Sequence, residues 1–153
     1  MVDFRPRSVA LGTALLGVVS LLTAVVLLTT IPEKPPGNGF AAGLTGIFVL
    51  LYAVVGLLAL VEAGVLGLVT RLWVPAEWPR RLLMGGAAAG GLAVVLLVGP
   101  LLVSRLAATL LGRLVPVGNA LEIGLVLVPV GIGSTALGLA LHLVEHVRTR
   151  ART

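Results

Sequence analysis

The chain has 153 residues, 58% of them hydrophobic and 11% charged, with a net charge of +5 and a mean hydropathy of +1.15. Soluble domains carry about 25% charged residues, so this chain lacks the charge to clothe a water-facing surface, and the expected fold is all-α: a polytopic membrane protein with four transmembrane helices in an up-down bundle. The basic residues fall in short loops and at the chain ends rather than on a face interleaved with aromatics, which excludes nucleic acid as a partner, and the absence of cysteine excludes disulfides, thiolate metal sites and iron–sulfur ligation.

The first apolar segment runs from about Ser8 to Thr30. Arg5 and Arg7 precede it as the n-region of a signal peptide would, but about 21 uncharged residues exceed the usual 7–15 of an h-region. No A-x-A site follows, so it reads as a retained span. The linker "IPEKPPGNG" then forbids helix continuation through its prolines and glycines.

The second segment runs from about Phe40 to Val69. At 1.5 Å per residue it is about 45 Å long, more than the roughly 30 Å of bilayer hydrocarbon. It is expected to tilt, or to bend into an interfacial turn around Gly64 and Gly67. Within it stands Glu62, nine residues before Arg71, with the apolar Leu58, Ala59, Val65 and Leu66 as helical neighbours. An acid at the centre of a membrane helix costs about 2.5–3.5 kcal/mol on insertion scales. Glu62 therefore reads either as a coupling carboxylate for an ion or proton, or as a glutamate hydrogen-bonded to another helix or subunit.

"WVPAEWPRR" leads into the third segment, from about Leu82 to Val103, with Trp73 and Trp78 placed to form an interfacial aromatic belt. "MGGAAAGG" contains Gly86-x-x-x-Gly90, a bare surface on which helices approach closely, within the chain or between copies. Gly39-x-x-x-Gly43 and the stretch from Gly12 to Gly17 offer similar stripes. After Arg105, "LAATLLGRLVPV" is expected to be an amphipathic surface segment or an extension of the third span.

The fourth segment runs from about Ala120 to Leu141. Asn119 and Glu122 have the N-x-x-E spacing related to a capping box. Pro129, followed by Gly131, Gly133 and Ser134, is expected to kink the helix near mid-membrane, where freed carbonyls can serve an ion or substrate. The segment ends on His142, Glu145 and His146, an H-x-x-E-H pattern that zinc hydrolases use. Zinc needs a third ligand; none follows in the seven residues after His146, and Glu62 is a candidate at similar depth. The simpler reading is the polar end of a helix, with Glu145 pairing with Arg148; a pH-responsive histidine pair is the other option. Arg148, Arg150 and Arg152 are placed to meet anionic lipid headgroups or an acidic partner surface.

Eight basic residues (Arg5, Arg7, Arg71, Arg80, Arg81, Arg148, Arg150 and Arg152) fall on one side and three (Lys34, Arg105 and Arg113) on the other. The positive-inside rule then puts both termini in the cytoplasm of a multi-pass plasma-membrane protein. A weak repeat pairs Gly37-Asn38, Gly43-Leu44 and Leu60-Val61-Glu62 with Gly118-Asn119, Gly124-Leu125 and Leu143-Val144-Glu145, as if two hairpins stood in tandem within a single domain. Four spans with one intramembrane glutamate resemble, in topology alone, the small multidrug-resistance exporters. Their essential glutamate lies in the first span, which here has none, so no residue is carried across.

No complete catalytic set, metal site or cofactor motif is present, and no enzyme activity is expected. The leading expectation is a non-catalytic membrane protein that associates with itself or serves as an accessory subunit. The alternative is a small ion- or proton-coupled transporter using Glu62. A metalloenzyme built on His142, Glu145 and His146 is third.

Overall fold

A computed structural model describes residues 6–31, 39–72, 76–112 and 118–150. It contains four long helices: α1 (Pro6–Thr29), α2 (Phe40–Leu72), α3 (Glu77–Leu111) and α4 (Gly118–Arg150). All four are long and apolar enough to cross a membrane. Arg5, Lys34, Trp73, Arg113 and Arg152, which entered the reading of orientation and interface, lie outside the described residues, as do the side chains of Arg105 and Arg150.

The helices alternate in direction. Ser20 of α1 meets Tyr52 of α2 while Gly17 meets Gly56, so these two run antiparallel. Tyr52 meets Leu97 and Glu62 meets Gly90, which opposes α2 and α3; Gly124 at Leu97 and Gly138 at Leu83 do the same for α3 and α4. The most extensive packing lies within the α1–α2 and α3–α4 hairpins. Between the hairpins, α3 packs less extensively against both α1 and α2, and α2 and α4 touch over a short stretch. The positions paired by the sequence repeat do not share an environment: Glu62 is buried and Glu145 exposed, and Gly124 is packed where Gly43 faces open space.

On α1, small residues rather than large ones form the inward face. The buried residues of α1 are Ala10, Thr13, Gly17, Ser20 and Ala24, spaced three and four apart on one helical stripe. Leu11, Leu15, Leu22 and Val26 point outwards. Such a face suits packing in lipid, where, with no hydrophobic drive between helices, association comes from close backbone approach and interhelical hydrogen bonds. At Gly17 an added Cβ would stand 2.9 Å from the Gly56 carbonyl oxygen, so glycine is what lets α1 and α2 touch there.

Several boundaries differ from the sequence expectation. α2 is uninterrupted past Gly64 and Gly67, with no interfacial turn. The stretch after Arg105 belongs to α3, which carries on to Leu111 and stops at Gly112 with φ +62°, the left-handed cap that glycine adopts without a Cβ penalty. α4 is continuous through Pro129 as far as Arg150, well past Leu141. It begins at Gly118, so Asn119 lies inside the first turn instead of capping it and Glu122 falls beyond that turn, exposed. In an apolar helix packed along its length against α3, the one N–H missing at Pro129 does not end α4, as membrane helices tolerate proline.

Two apolar clusters fill the bundle. One gathers Ala24, Tyr52, Val55, Ala59, Val94, Leu97 and Val98. The other gathers Ala10, Leu66, Val69, Leu83 and Ala87. Glu62, Gly90, Gly131 and Thr135 occupy the level between them.

Candidate functional site

Glu62 projects from α2 into the seam between the two hairpins, and its residue is 4% exposed. The space for its carboxyl exists because two glycines face it. A Cβ on Gly90 of α3 would overlap Oε2, and a Cβ on Gly131 of α4 would stand 2.9 Å from Oε1 and 3.2 Å from the Gly90 nitrogen. The carboxyl is therefore laid across the bare backbones of two neighbouring helices.

One turn away, Gly86 accommodates Thr135 in the same fashion. A Cβ at Gly86 would overlap Thr135 Oγ1 and come within 2.8 Å of the Thr135 nitrogen and 2.9 Å of the Gly131 carbonyl oxygen. The Gly86-x-x-x-Gly90 stripe thus serves packing within the chain, seating one polar side chain of α2 and one of α4.

Both seated groups have unused hydrogen-bonding capacity. Glu62 Oε2 and Thr135 Oγ1 are buried without a hydrogen-bond partner. Their polar neighbours are bonded: Thr13 Oγ1 donates to the Ala87 carbonyl at 2.8 Å, and Ser20 Oγ donates to the Tyr52 carbonyl at 2.8 Å. An orphaned buried polar atom costs about 1–3 kcal/mol, more when charged.

A cavity of about 10 Å³ adjoins Glu62, lined otherwise by Val55, Leu58, Ala59, Gly90, Ala93 and Val128. That is about the least volume that holds a single water. An organic substrate does not fit in this conformation. A divalent cation does not fit either, since hard cations take six or more oxygen ligands and the side chains around this cavity offer the Glu62 carboxyl alone.

The histidine cluster is arranged differently from its sequence reading. His142 is 6% exposed and faces inwards, His146 is half-buried and Glu145 is exposed; the imidazole centroids lie 6.4 Å apart. His142 is thus part of the packed face of α4 and not a wet helix end. Glu62 packs at Gly131, eleven residues before His142 and so about 16 Å away along α4, which removes it as a third ligand. Among the described residues no group of three or more His, Cys, Asp or Glu is placed to hold a metal ion. Glu145 and Arg148 are both exposed, without an ion pair between them among the described residues.

At the start of α3, Arg81 donates to Glu77 at 2.5 Å and its guanidinium stands 6.0 Å from the ring of Trp78, which is 71% exposed. This is an exposed cluster at the start of α3.

Sequence reasoning missed Thr135 and the Thr13 and Ser20 hydrogen bonds. The signal was available in α1, where the small residues recur on one stripe while the large ones do not. Thr135 had the weaker signal, one more small residue after "GIGS". Compared with protein-family models, curated proteins and solved structures, the chain matches none.

Proposed function

We propose that this chain is a small proton-coupled membrane transporter whose coupling group is the Glu62 carboxyl. The observation that carries the reading is the unpartnered Oε2 of Glu62, buried at the seam of the two hairpins against Gly90 and Gly131. A carboxyl kept only for packing is expected to meet a donor from a neighbouring helix, as Thr13 and Ser20 meet their acceptors. The proton is favoured over a metal cation because the adjoining space is one water in size and poor in oxygen ligands.

The same packing suggests how Glu62 gains access to either side. Each hairpin is packed most extensively within itself; across the seam α3 packs more lightly against α1 and α2, and α2 and α4 meet over a short stretch. Rocking one hairpin against the other opens the seam at Glu62 and leaves the glycine contacts inside each hairpin intact, a rigid-body motion of the kind transporters use. Glu62 then meets water alternately from the two ends of the bundle, with the apolar clusters above and below closing the side not in use.

The reading as an associating or accessory subunit drew on glycine-rich faces, short loops and the lack of a complete catalytic set. Of those glycines, Gly90 meets Glu62 and Gly86 meets Thr135 of their own chain, and these two support the intramolecular site. Orientation with both termini cytoplasmic belongs to the same proposal and rests on the eight-to-three distribution of basic residues.

The test is proton uptake in proteoliposomes enclosing a pH-sensitive dye, driven by an imposed membrane potential. The wild-type chain is expected to take up protons, and Glu62→Gln, which keeps shape but cannot exchange a proton, is expected to lose at least about tenfold of that rate. Full uptake by Glu62→Gln overturns the proposal.

A further inference from the structure

On the opposite side of α2 from Glu62, a groove of about 410 Å³ runs between α1 and α2. Its walls are small: Ala10 and Ala14 from α1, Ala63, Gly64 and Gly67 from α2. Leu11 and Leu60 complete an apolar channel, and Arg7 stands at one end of it. On α2, Leu60, Gly64, Gly67 and Arg71 follow one another at intervals of four, three and four, so Arg71 caps the same stripe one turn beyond Gly67. Because α1 and α2 are antiparallel, Arg7 in the first turn of one and Arg71 in the last turn of the other sit at the same end of the bundle. Both arginines are exposed and have no acidic partner among the described residues.

The geometry points to a binding site for one anionic phospholipid, its acyl chain lying in the α1–α2 groove and its phosphate held between Arg7 and Arg71. The groove matches the two halves of that ligand: an uncharged trough of open small residues, ending in a pair of cations at the depth where the helices reach their termini. Arginine suits the site because its planar fork binds phosphate oxygens bidentately. A second copy of the chain is a poorer occupant. A twofold axis along the bundle sets the same patch against itself, bringing two Arg7 and two Arg71 side chains together with no acid between them. The site is independent of Glu62 and of the transport reading, and it requires only that the helices be embedded in lipid.

The full chain in mild detergent, mixed with equal amounts of phosphatidylglycerol and phosphatidylcholine, tests this by native mass spectrometry of the retained phospholipid. One phosphatidylglycerol per chain is expected in preference to phosphatidylcholine. With about 1 kcal/mol of attraction from each arginine, the Arg7→Gln, Arg71→Gln double variant is expected to lose that preference by about thirtyfold. Gly64→Leu with Gly67→Leu fills the trough while keeping both arginines, and is expected to abolish retention. An added Cβ meets nothing within 4 Å at either glycine, so both substitutions start in open space, and an unchanged helical circular dichroism spectrum is the folding control. Equal retention of the two phospholipids by the wild-type chain overturns the inference, as does a preference unchanged in the double glutamine variant. Since the chain has no cysteine, disulfide cross-linking of Gly64→Cys between copies in lipid would place a second chain in the groove and overturn it as well.

Discussion

At Gly90 there is room for a hydrogen atom and for nothing larger while Glu62 keeps its place. Gly90→Ala is therefore expected to destabilise the bundle by about 1–3 kcal/mol through overpacking. Removing the carboxyl with Glu62→Ala should relieve most of that cost, giving a coupling energy in a double-mutant cycle. Gly86→Ala should be more costly and blind to Glu62→Ala, because the Cβ there meets Thr135 and the backbones of Thr135 and Gly131. Unfolding in mixed detergent micelles containing SDS measures both, and equal relief of the two variants would refute the assigned contacts. Thr135→Val removes an unpartnered hydroxyl of nearly the same shape and is expected to leave stability within about 1 kcal/mol of wild type. At this scale the sequence revealed Glu62 and not what it faces. One acid in a run of Leu, Val and Ala is conspicuous, whereas a glycine across the seam carries no chemical signal until the helices are placed.

The helices themselves were legible from length and hydropathy, and their inward faces were not. In a soluble bundle the large apolar residues mark the core; here Leu11, Leu15 and Leu22 are exposed and the core stripe of α1 is Ala, Thr, Gly, Ser and Ala. Amphipathicity gives no direction when both faces are apolar, so side-chain size carries the information. Within that stripe, Thr13 and Ser20 each tie α1 to a neighbouring carbonyl. Thr13→Val and Ser20→Ala are each expected to cost about 0.6 kcal/mol, and at most about 1.7, the range for interhelical hydrogen bonds in membranes, read from the same micellar unfolding curves. Losses several times larger would mean these hydroxyls hold more than one contact. Helix ends followed local chemistry better than hydropathy. Gly112 stops α3 with a left-handed turn, while the polar residues His142 to Thr149 continue α4, since nothing in their backbone chemistry breaks a helix.

For the whole molecule, the up-down order of four apolar helices followed from composition and linkers; which hairpin contacts which, and through what, did not. Each helix pair across the seam packs less extensively than the pair within either hairpin, so the seam is where the protein is expected to move. Leu58 and Val128 line the small cavity there, so cysteines at both positions, joined by a short bifunctional thiol reagent, are expected to stop proton uptake. The same treatment at Leu83 of α3 and Leu139 of α4, which share one apolar cluster and belong to the same hairpin, is expected to leave uptake unchanged. Equal inhibition by both would argue against rocking hairpins. In vesicles, single cysteines at Arg80 and Thr149 should react with a membrane-impermeant thiol reagent from one side and a cysteine at Thr30 from the other, as an up-down order with both termini on one side requires.

The most direct measurement is difference infrared spectroscopy of the chain in lipid across a pH step, with Glu62→Gln as the control. If Glu62 carries the coupling proton, a carboxyl band rises or falls with pH and disappears from the Glu62→Gln difference spectrum. A spectrum in which the Glu62 carboxyl never responds, identical in wild type and variant, would contradict that role and leave Glu62 as a packing residue between Gly90 and Gly131.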